Sequence, residues 1–317
     1  MQSTKNRKLA LVLLLLTGFT VAMYFLLGDD PNQIDVDRSL FAYKATGQID
    51  QVHLAGPELD VSLNFEGGQW MIGNDKADPQ RTSVLFAILQ QVRIRRAVPK
   101  NQADSIRQLI DSNGVTARFY DGDQVVHEMK VLGDEYRGVT YMSLPDEENV
   151  YLTQIPGYRS FLAGMFTIDA LGWRDPLVFD FDWINLQQVE MIYPGRKDEQ
   201  FEVVFDENIY RMKGVQSTDT TKLFDFLDNI SRLYVNDYLA EDEWNQGMIS
   251  DTTATIVVQD VGGNKLTLEI FNAFEGQNNQ FLVRIDSSDM GVVSRESVRR
   301  VLRPKKYFRE EKKQPYN

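Results

Sequence analysis

Leu9 to Leu27, LALVLLLLTGFTVAMYFLL, is a run of nineteen residues without a single charge, and it sits directly behind Lys5, Arg7 and Lys8. At about 1.5 Å per residue a helix of this length spans roughly 28 Å, close to the ~30 Å hydrocarbon layer of a bilayer. The run therefore reads as a membrane-spanning signal anchor. Basic residues precede it, while Asp29, Asp30, Asp35 and Asp37 follow it. That asymmetry puts the short N-terminus in the cytoplasm and the body outside. A cleaved secretory signal is the rival reading. Its apolar region is usually about 7–15 residues and ends at a small-x-small site, whereas here the only such site, Thr20-Val21-Ala22, lies inside the run and would leave MYFLL exposed.

There is no cysteine, which excludes disulfides and an N-terminal lipidated Cys, so an outer domain must be held by its core alone. About 290 residues remain after the anchor, enough for two ordinary domains. The formal net charge of −12 is uneven: residues 299–313 carry +6, the first eight +3, and the stretch between them −21. An acidic body repels phosphate backbones, so no nucleic-acid partner is expected.

After Asp37 the chain repeats itself. DRSLFAY then QVHLAG is followed, about 137 residues later, by WRDPLVFDF then QVEMIY, which places Arg174-Asp175 opposite Arg38-Ser39. VSLNFEGGQWMI and FEVVFDENIYRM both read as hairpins, with Trp70 and Tyr210 in matching places. Leu85 to Leu89 aligns with Leu223 to Leu227 at a spacing of 138, each with apolar residues at helical intervals. Asp78-Pro79 and Ser217-Thr218-Asp219 supply the N-cap signals. Ala117 and Ala254, again 137 apart, open a second pair of strands, and short apolar helices around Tyr158 to Leu162 and Val298 to Leu302 close the two copies. The expected fold is α+β: an N-terminal transmembrane helix, then two tandem copies of an antiparallel sheet packed on a helix. The boundaries are 1–8 for the cytoplasmic N-terminus, 9–27 for the anchor, 28–36 for a spacer, 37–170 and 171–304 for the two copies, and 305–317 for a basic, solvated tail. The aromatic-rich stretch Met165 to Trp183 joins the copies as a packed joint.

Catalytic signals are sparse. With two histidines and no cysteine the usual zinc sets cannot be assembled, and His53 and His127 read as strand residues. None of G-x-S-x-G, S-x-x-K, G-x-G-x-x-G or a P-loop occurs, which leaves no motif for serine hydrolases, dinucleotide enzymes or NTPases. Asp180 and Asp182 could serve a glycosidase if they met in space, but they alternate with Phe179, Phe181 and Trp183 as one polar side of an extended segment. Asp146-Glu147-Glu148 and the Asp286–Asp289 stretch read as solvated turns. Candidate partner-binding residues are Trp173 and Arg174, of types favoured in interface hot spots, and Arg299 and Arg300 in the basic tail.

The anchor, Trp70-Met71-Ile72 with Ala77-Asp78-Pro79 before the helix, and Arg174-Asp175-Pro176-Leu177-Val178-Phe179 together resemble a family of membrane-anchored bacterial proteins of unknown function. These are built from a repeated α+β unit and are found near gliding-motility-type ABC exporter and other envelope genes. The resemblance spans nearly the whole chain and rests on fold-determining residues. It implies a non-catalytic accessory or scaffold subunit of a bacterial envelope complex, single-pass in the inner membrane with its body periplasmic, with other envelope proteins as partners and no cofactor. The alternatives are a carboxylate-based glycan hydrolase and a polysaccharide- or ligand-binding module.

Overall fold

The computed structural model describes residues 12–21, 23, 37–44, 47–145, 147–158, 161–215, 217–249, 251–271 and 280–310. Among them the chain is a mixed α+β protein with two antiparallel sheets and five α-helical stretches. The first sheet has strands β1 (Gln51–Gly56), β2 (Leu59–Glu66), β3 (Gln69–Ile72), β4 (Asp75–Lys76), β5 (Arg93–Ala97), β6 (Val115–Asp121), β7 (Gln124–Asp134), β8 (Val139–Ser143) and β9 (Tyr151–Gln154). Their spatial order is β4-β3-β2-β1-β6-β7-β8-β9-β5. The second sheet has β10 (Leu186–Ile192), β11 (Phe201–Asp206), β12 (Ile209–Met212), β13 (Asp237–Leu239), β14 (Thr252–Asp260), β15 (Lys265–Phe271), β16 (Gln280–Ile285) and β17 (Asp289–Ser294), in the order β12-β11-β10-β14-β15-β16-β17-β13. With β4 set aside, the two orders are the same. Helix α1 (Pro79–Gln91) follows β4, α2 (Lys100–Asn113) follows β5, α3 (Thr220–Ser231) follows β12 and α4 (Arg295–Val301) follows β17.

The chain divides into two compact units, residues 1–60 with 83–167 and residues 61–82 with 168–317. In the second unit Leu186, Val189 and Met191 of β10, Ile256 of β14 and Leu268 of β15 bury one sheet face against Leu223, Phe226, Leu227 and Ile230 of α3. Alternation at a period of two on the strands meets a period of 3.6 on the helix, and each presents one apolar face. In the first unit α2 packs Ala103 and Ile110 against Val98, Tyr141, Val150 and Leu152. Helix α2 is a feature the periodicity argument passes over. Its bracketing signals are Pro99 at the N-cap and Gly114 at the C-cap, with Ala103, Ile106 and Ile110 on one face.

Pairing registers revise the sequence alignment. Val52 faces Phe119 and Val189 faces Val258, so Ala117, opposite Leu54, corresponds to Ile256, opposite Met191, rather than to Ala254. Asp78 caps α1 by accepting from the backbone N–H of Gln80 and Arg81, and Asp219 caps α3 by accepting from that of Lys222. Counted from the caps, Leu85 corresponds to Phe226, three residues beyond the sequence match. The carboxylates of Asp37 and Asp175 each accept the N–H two residues on, from Ser39 and Leu177. Asp37 therefore matches Asp175 and Phe41 matches Phe179, both phenylalanines being fully buried. Arg38 is thus the counterpart of Pro176, and Arg174 has no counterpart among the described residues of 37–170.

Residues 173–175 and 308–310 act as two straps. Ala77 bridges Arg174, and the Asp78 N–H donates to the Trp173 carbonyl at 2.8 Å. Thr218 bridges Arg309, and the Asp219 N–H donates to the Phe308 carbonyl at 2.8 Å. Each strap lays an aromatic-Arg-acid triplet beside a helix-capping aspartate, and Trp173 and Phe308 are both 0% exposed. This corrects the expected solvated tail: Lys305–Phe308 forms a 3₁₀ turn, and the Phe308 ring packs edge-on to Phe201 and Phe226. Residues 311–317 lie outside the described residues, as do 1–11 and 24–36, which include the N-terminal segment, the spacer and both ends of the anchor. The expected helix around Tyr158 to Leu162 is a 3₁₀ turn at Leu162–Met165 instead.

Candidate functional site

The first strap borders a cavity of about 340 Å³ within the second unit. Its walls include Arg81, Gly172, Arg174, Asp237, Tyr238 and Glu243. Arg81 lies on the first turn of α1, where its Nε sits 3.4 Å from the Asp78 carboxylate. The Gly172 N–H donates to Asp169 at 2.7 Å in a tight turn. A Cβ on Gly172 would come within 2.7 Å of Ile168, 3.0 Å of Asp169 Oδ1 and 3.3 Å of Arg81 Nη1, so the missing side chain lets the turn close on itself with the guanidinium lying against it.

Arg174 is the most constrained charge in the cavity wall, with a side chain only 14% exposed. Its Nε lies 3.2 Å from Asp75 Oδ2, its Nη2 donates to Asp289 Oδ2 at 2.5 Å, and its guanidinium stacks 4.2 Å from the Tyr238 ring centroid. Burial works against the charge of the guanidinium, but the hydrogen bond and charge of Asp289, aided by Asp75, more than offset it and hold its pKa above the ordinary arginine value. The Tyr238 hydroxyl donates to the Asp175 carbonyl at 3.0 Å. Burial pushes the phenol up to about 12, against the opposing pull of Arg174. Burial also raises the pKa of Asp175, ahead of the lowering effect of the hydrogen bond from the Leu177 N–H.

The cavity opens beside a sheet edge. Strand β13 is the terminal strand of the second sheet and pairs with β17 on one side. Just before it, Leu177 bridges Tyr234 and the Val235 N–H donates to the Pro176 carbonyl at 2.8 Å. Pro176 has no N–H to give in return, and it lines the cavity with Val235 and Asn236 to Leu239.

The four residues singled out by sequence have different fates. Trp173 is fully buried, so its ring has no exposed face for a partner. Arg174 faces the cavity and is held by Asp75, Asp289 and Tyr238. Arg299 and Arg300 are exposed on the last turn of α4, with Arg300 paired to Glu296 and neither in the cavity wall. Asp180 pairs with Lys76, while the Asp182 carboxylate accepts the N–H groups of Ile184 and Asn185, so each has a structural role. Asp289, expected as a solvated turn residue, is the partner of Arg174. His53 stands on β1, 2.7 Å from Asp60; His127 stands on β7 with Nε2 donating to the Phe41 carbonyl at 3.1 Å, and burial lowers its pKa. Among the described residues no three His, Asp or Glu side chains gather as a metal-binding group.

No family profile, no curated protein and no solved structure matches this chain.

Proposed function

We propose that this protein is a membrane-tethered, extracytoplasmic accessory subunit of a bacterial envelope complex, built from two copies of one α+β unit. The observation that carries the reading is the N-terminal helix. Residues 12–21 and 23 are helical, and Val12, Leu13, Leu14, Leu15 and Leu16 are consecutive and all exposed. Five consecutive helical residues sweep more than a full turn, so no groove on one side could cover them all, whereas hydrocarbon surrounds a helix completely. Among the described residues no helix is long and apolar enough to cross a membrane; the described part of this one is shorter than the Leu9–Leu27 run.

The shared strand order of the two sheets supports the duplication, and the matched straps support it independently. A partner-binding role is supported by a cluster on the second unit in which Trp183, Ile184, Ile209 and Phe224 are all exposed and the Trp183 ring contacts Tyr210 and Phe224. Contiguous exposed aromatics of this kind mark interaction surfaces.

Fractionation of cells producing the full chain tests the tether. The protein should stay in membranes washed with alkaline carbonate, and its body should be cut by protease added to spheroplasts but not to intact cells. Release of full-length protein by carbonate would overturn the reading. Isolation from native membranes in mild detergent, with Trp183→Ser as control, tests the complex: co-eluting chains should be lost in the variant, and elution alone in repeated preparations counts against an accessory role.

A further inference from the structure

We propose that the cavity beside β13 is a binding site for a short extended peptide with free ends, its carboxylate held at Arg81 and its ammonium at Asp237 and Glu243. The inference is independent of the tether and of the envelope assignment. Three observations on the second unit converge on it.

The first is the edge itself. Val235 donates its N–H to Pro176, and this pair lines the cavity together with Asn236 to Leu239 of the edge strand region, Val292 of β17 and Gln280 of β16. A terminal strand with free backbone groups in a concave site is the ground on which an extended peptide adds as a further strand. The second is polarity. Arg81 lines the cavity together with three acids, Asp169, Asp237 and Glu243; Asp169 accepts the N–H of Gly172 and Glu243 that of Ala240, and Asp237 has no side-chain partner among the described residues. Arg174, although in the wall, is already engaged by Asp75, Asp289 and Tyr238, so it contributes a fixed positive background. Arg81 is placed differently: only its Nε faces Asp78, at 3.4 Å, while Nη1 lies over Gly172. Among the described residues the terminal nitrogens of Arg81 have no hydrogen-bond partner, and such an arginine in a cavity suits the planar two-oxygen face of a carboxylate.

The third is size. A sphere of this volume is about 9 Å across, and extended chain advances roughly 3.3 Å per residue, so two or three residues fit. A neutral sugar would leave the opposite charges of Arg81 and Asp237 unanswered.

Titration calorimetry on the full chain in detergent, with trialanine as probe, decides the matter. The free peptide should bind, with affinity falling about tenfold or more for its C-terminal amide and similarly for its N-acetyl form. Arg81→Ala should remove the discrimination between acid and amide, and Asp237→Asn should weaken the preference for a free amine. Because Arg81 also sits near the α1 cap, its variant is read alongside Arg81→Lys, which keeps the charge but removes the planar fork and should weaken the free acid selectively. Equal affinity for acid and amide, retention of the discrimination in Arg81→Ala, or no binding of trialanine at millimolar concentration would each overturn the proposal. Saturable binding of an oligosaccharide, without any of the peptide, would overturn it too.

Discussion

The two straps close their edges with the same backbone bonds, and yet their arginines meet opposite fates. Trp173 and Phe308 are both buried completely, and both carbonyls receive the N–H of a helix-capping aspartate. Arg174 is then gripped by Asp75, Asp289 and Tyr238, whereas Arg309 is exposed, with no side-chain partner among the described residues. Closing an edge therefore needs the aromatic residue and the backbone. The arginine is an addition, used only where Tyr238 and Asp289 stand ready to receive it.

Removing the aromatic residues should do the most damage. Trp173→Ala and Phe308→Ala each delete a fully buried ring and should cost about 3–5 kcal/mol in urea unfolding. Trp173→Phe, which copies the second strap into the first, should cost far less, because the buried Trp173 Nε1 has no hydrogen-bond partner among the described residues and its loss relieves that orphaned donor. If Trp173→Phe proved as harmful as Trp173→Ala, the two straps would not be equivalent.

The clamp on Arg174 should show in alkali. With the Tyr238 phenol pushed up from 10.0 to about 12, the folded state binds its proton more tightly than the unfolded state. Its contribution is present in full below about pH 10 and is lost as pH rises towards 12, in all about 2–3 kcal/mol. Tyr238→Phe should flatten that part of the stability–pH curve, as followed by denaturant midpoints and phenolate absorbance. A profile unchanged by the substitution would deny that the ring is buried against the guanidinium.

Arg174→Ala should cost about 2 kcal/mol, between the values for exposed and fully buried pairs, since Asp75 and Asp289 are themselves partly exposed. Arg309→Ala should stay within about 0.5 kcal/mol. Equal losses would erase the contrast. Asp78→Ala and Asp219→Ala should each cost about 1 kcal/mol as lost N-caps, measured by thermal unfolding. The smallest effect concerns two hairpin tips: Gly67 and Gly68 turn the β2–β3 loop with positive φ, and Glu207 and Asn208 do so in the β11–β12 loop. Glu207→Gly should stabilise by about 0.5–1 kcal/mol, because a left-handed backbone is strained for a residue with a Cβ.

The face of each element was legible in the sequence, but its register was not, and the reason is periodic. Sliding a strand by two residues or a helix by three leaves the same face inward, so apolar pattern cannot distinguish Ala254 from Ile256 as the partner of Ala117, nor Leu223 from Phe226 as the partner of Leu85. Aperiodic marks settle it: the capping carboxylates of Asp78 and Asp219 and the turn carboxylates of Asp37 and Asp175 stand at matching places before the two sheets' helices and first strands. Helix α2 leaves a weak periodic signal because its apolar face is narrow, with only Ala103 and Ile110 buried. The cavity was out of reach for another reason. Arg81, Gly172, Asp237 and Glu243 lie on separate stretches of chain, and nothing local to any of them announces that the others are near.

Each strap lies downstream of the hairpin beside which it bridges, Ala77 after β4 and Thr218 after β12. During synthesis the first edge can be sealed once Trp173 has left the ribosome, while the second stays ajar until Phe308 emerges. A chain stalled short of that residue would present a raw strand border and an unfilled hollow beside Phe201 and Phe226, features by which a quality-control protease could tell unfinished copies from finished ones.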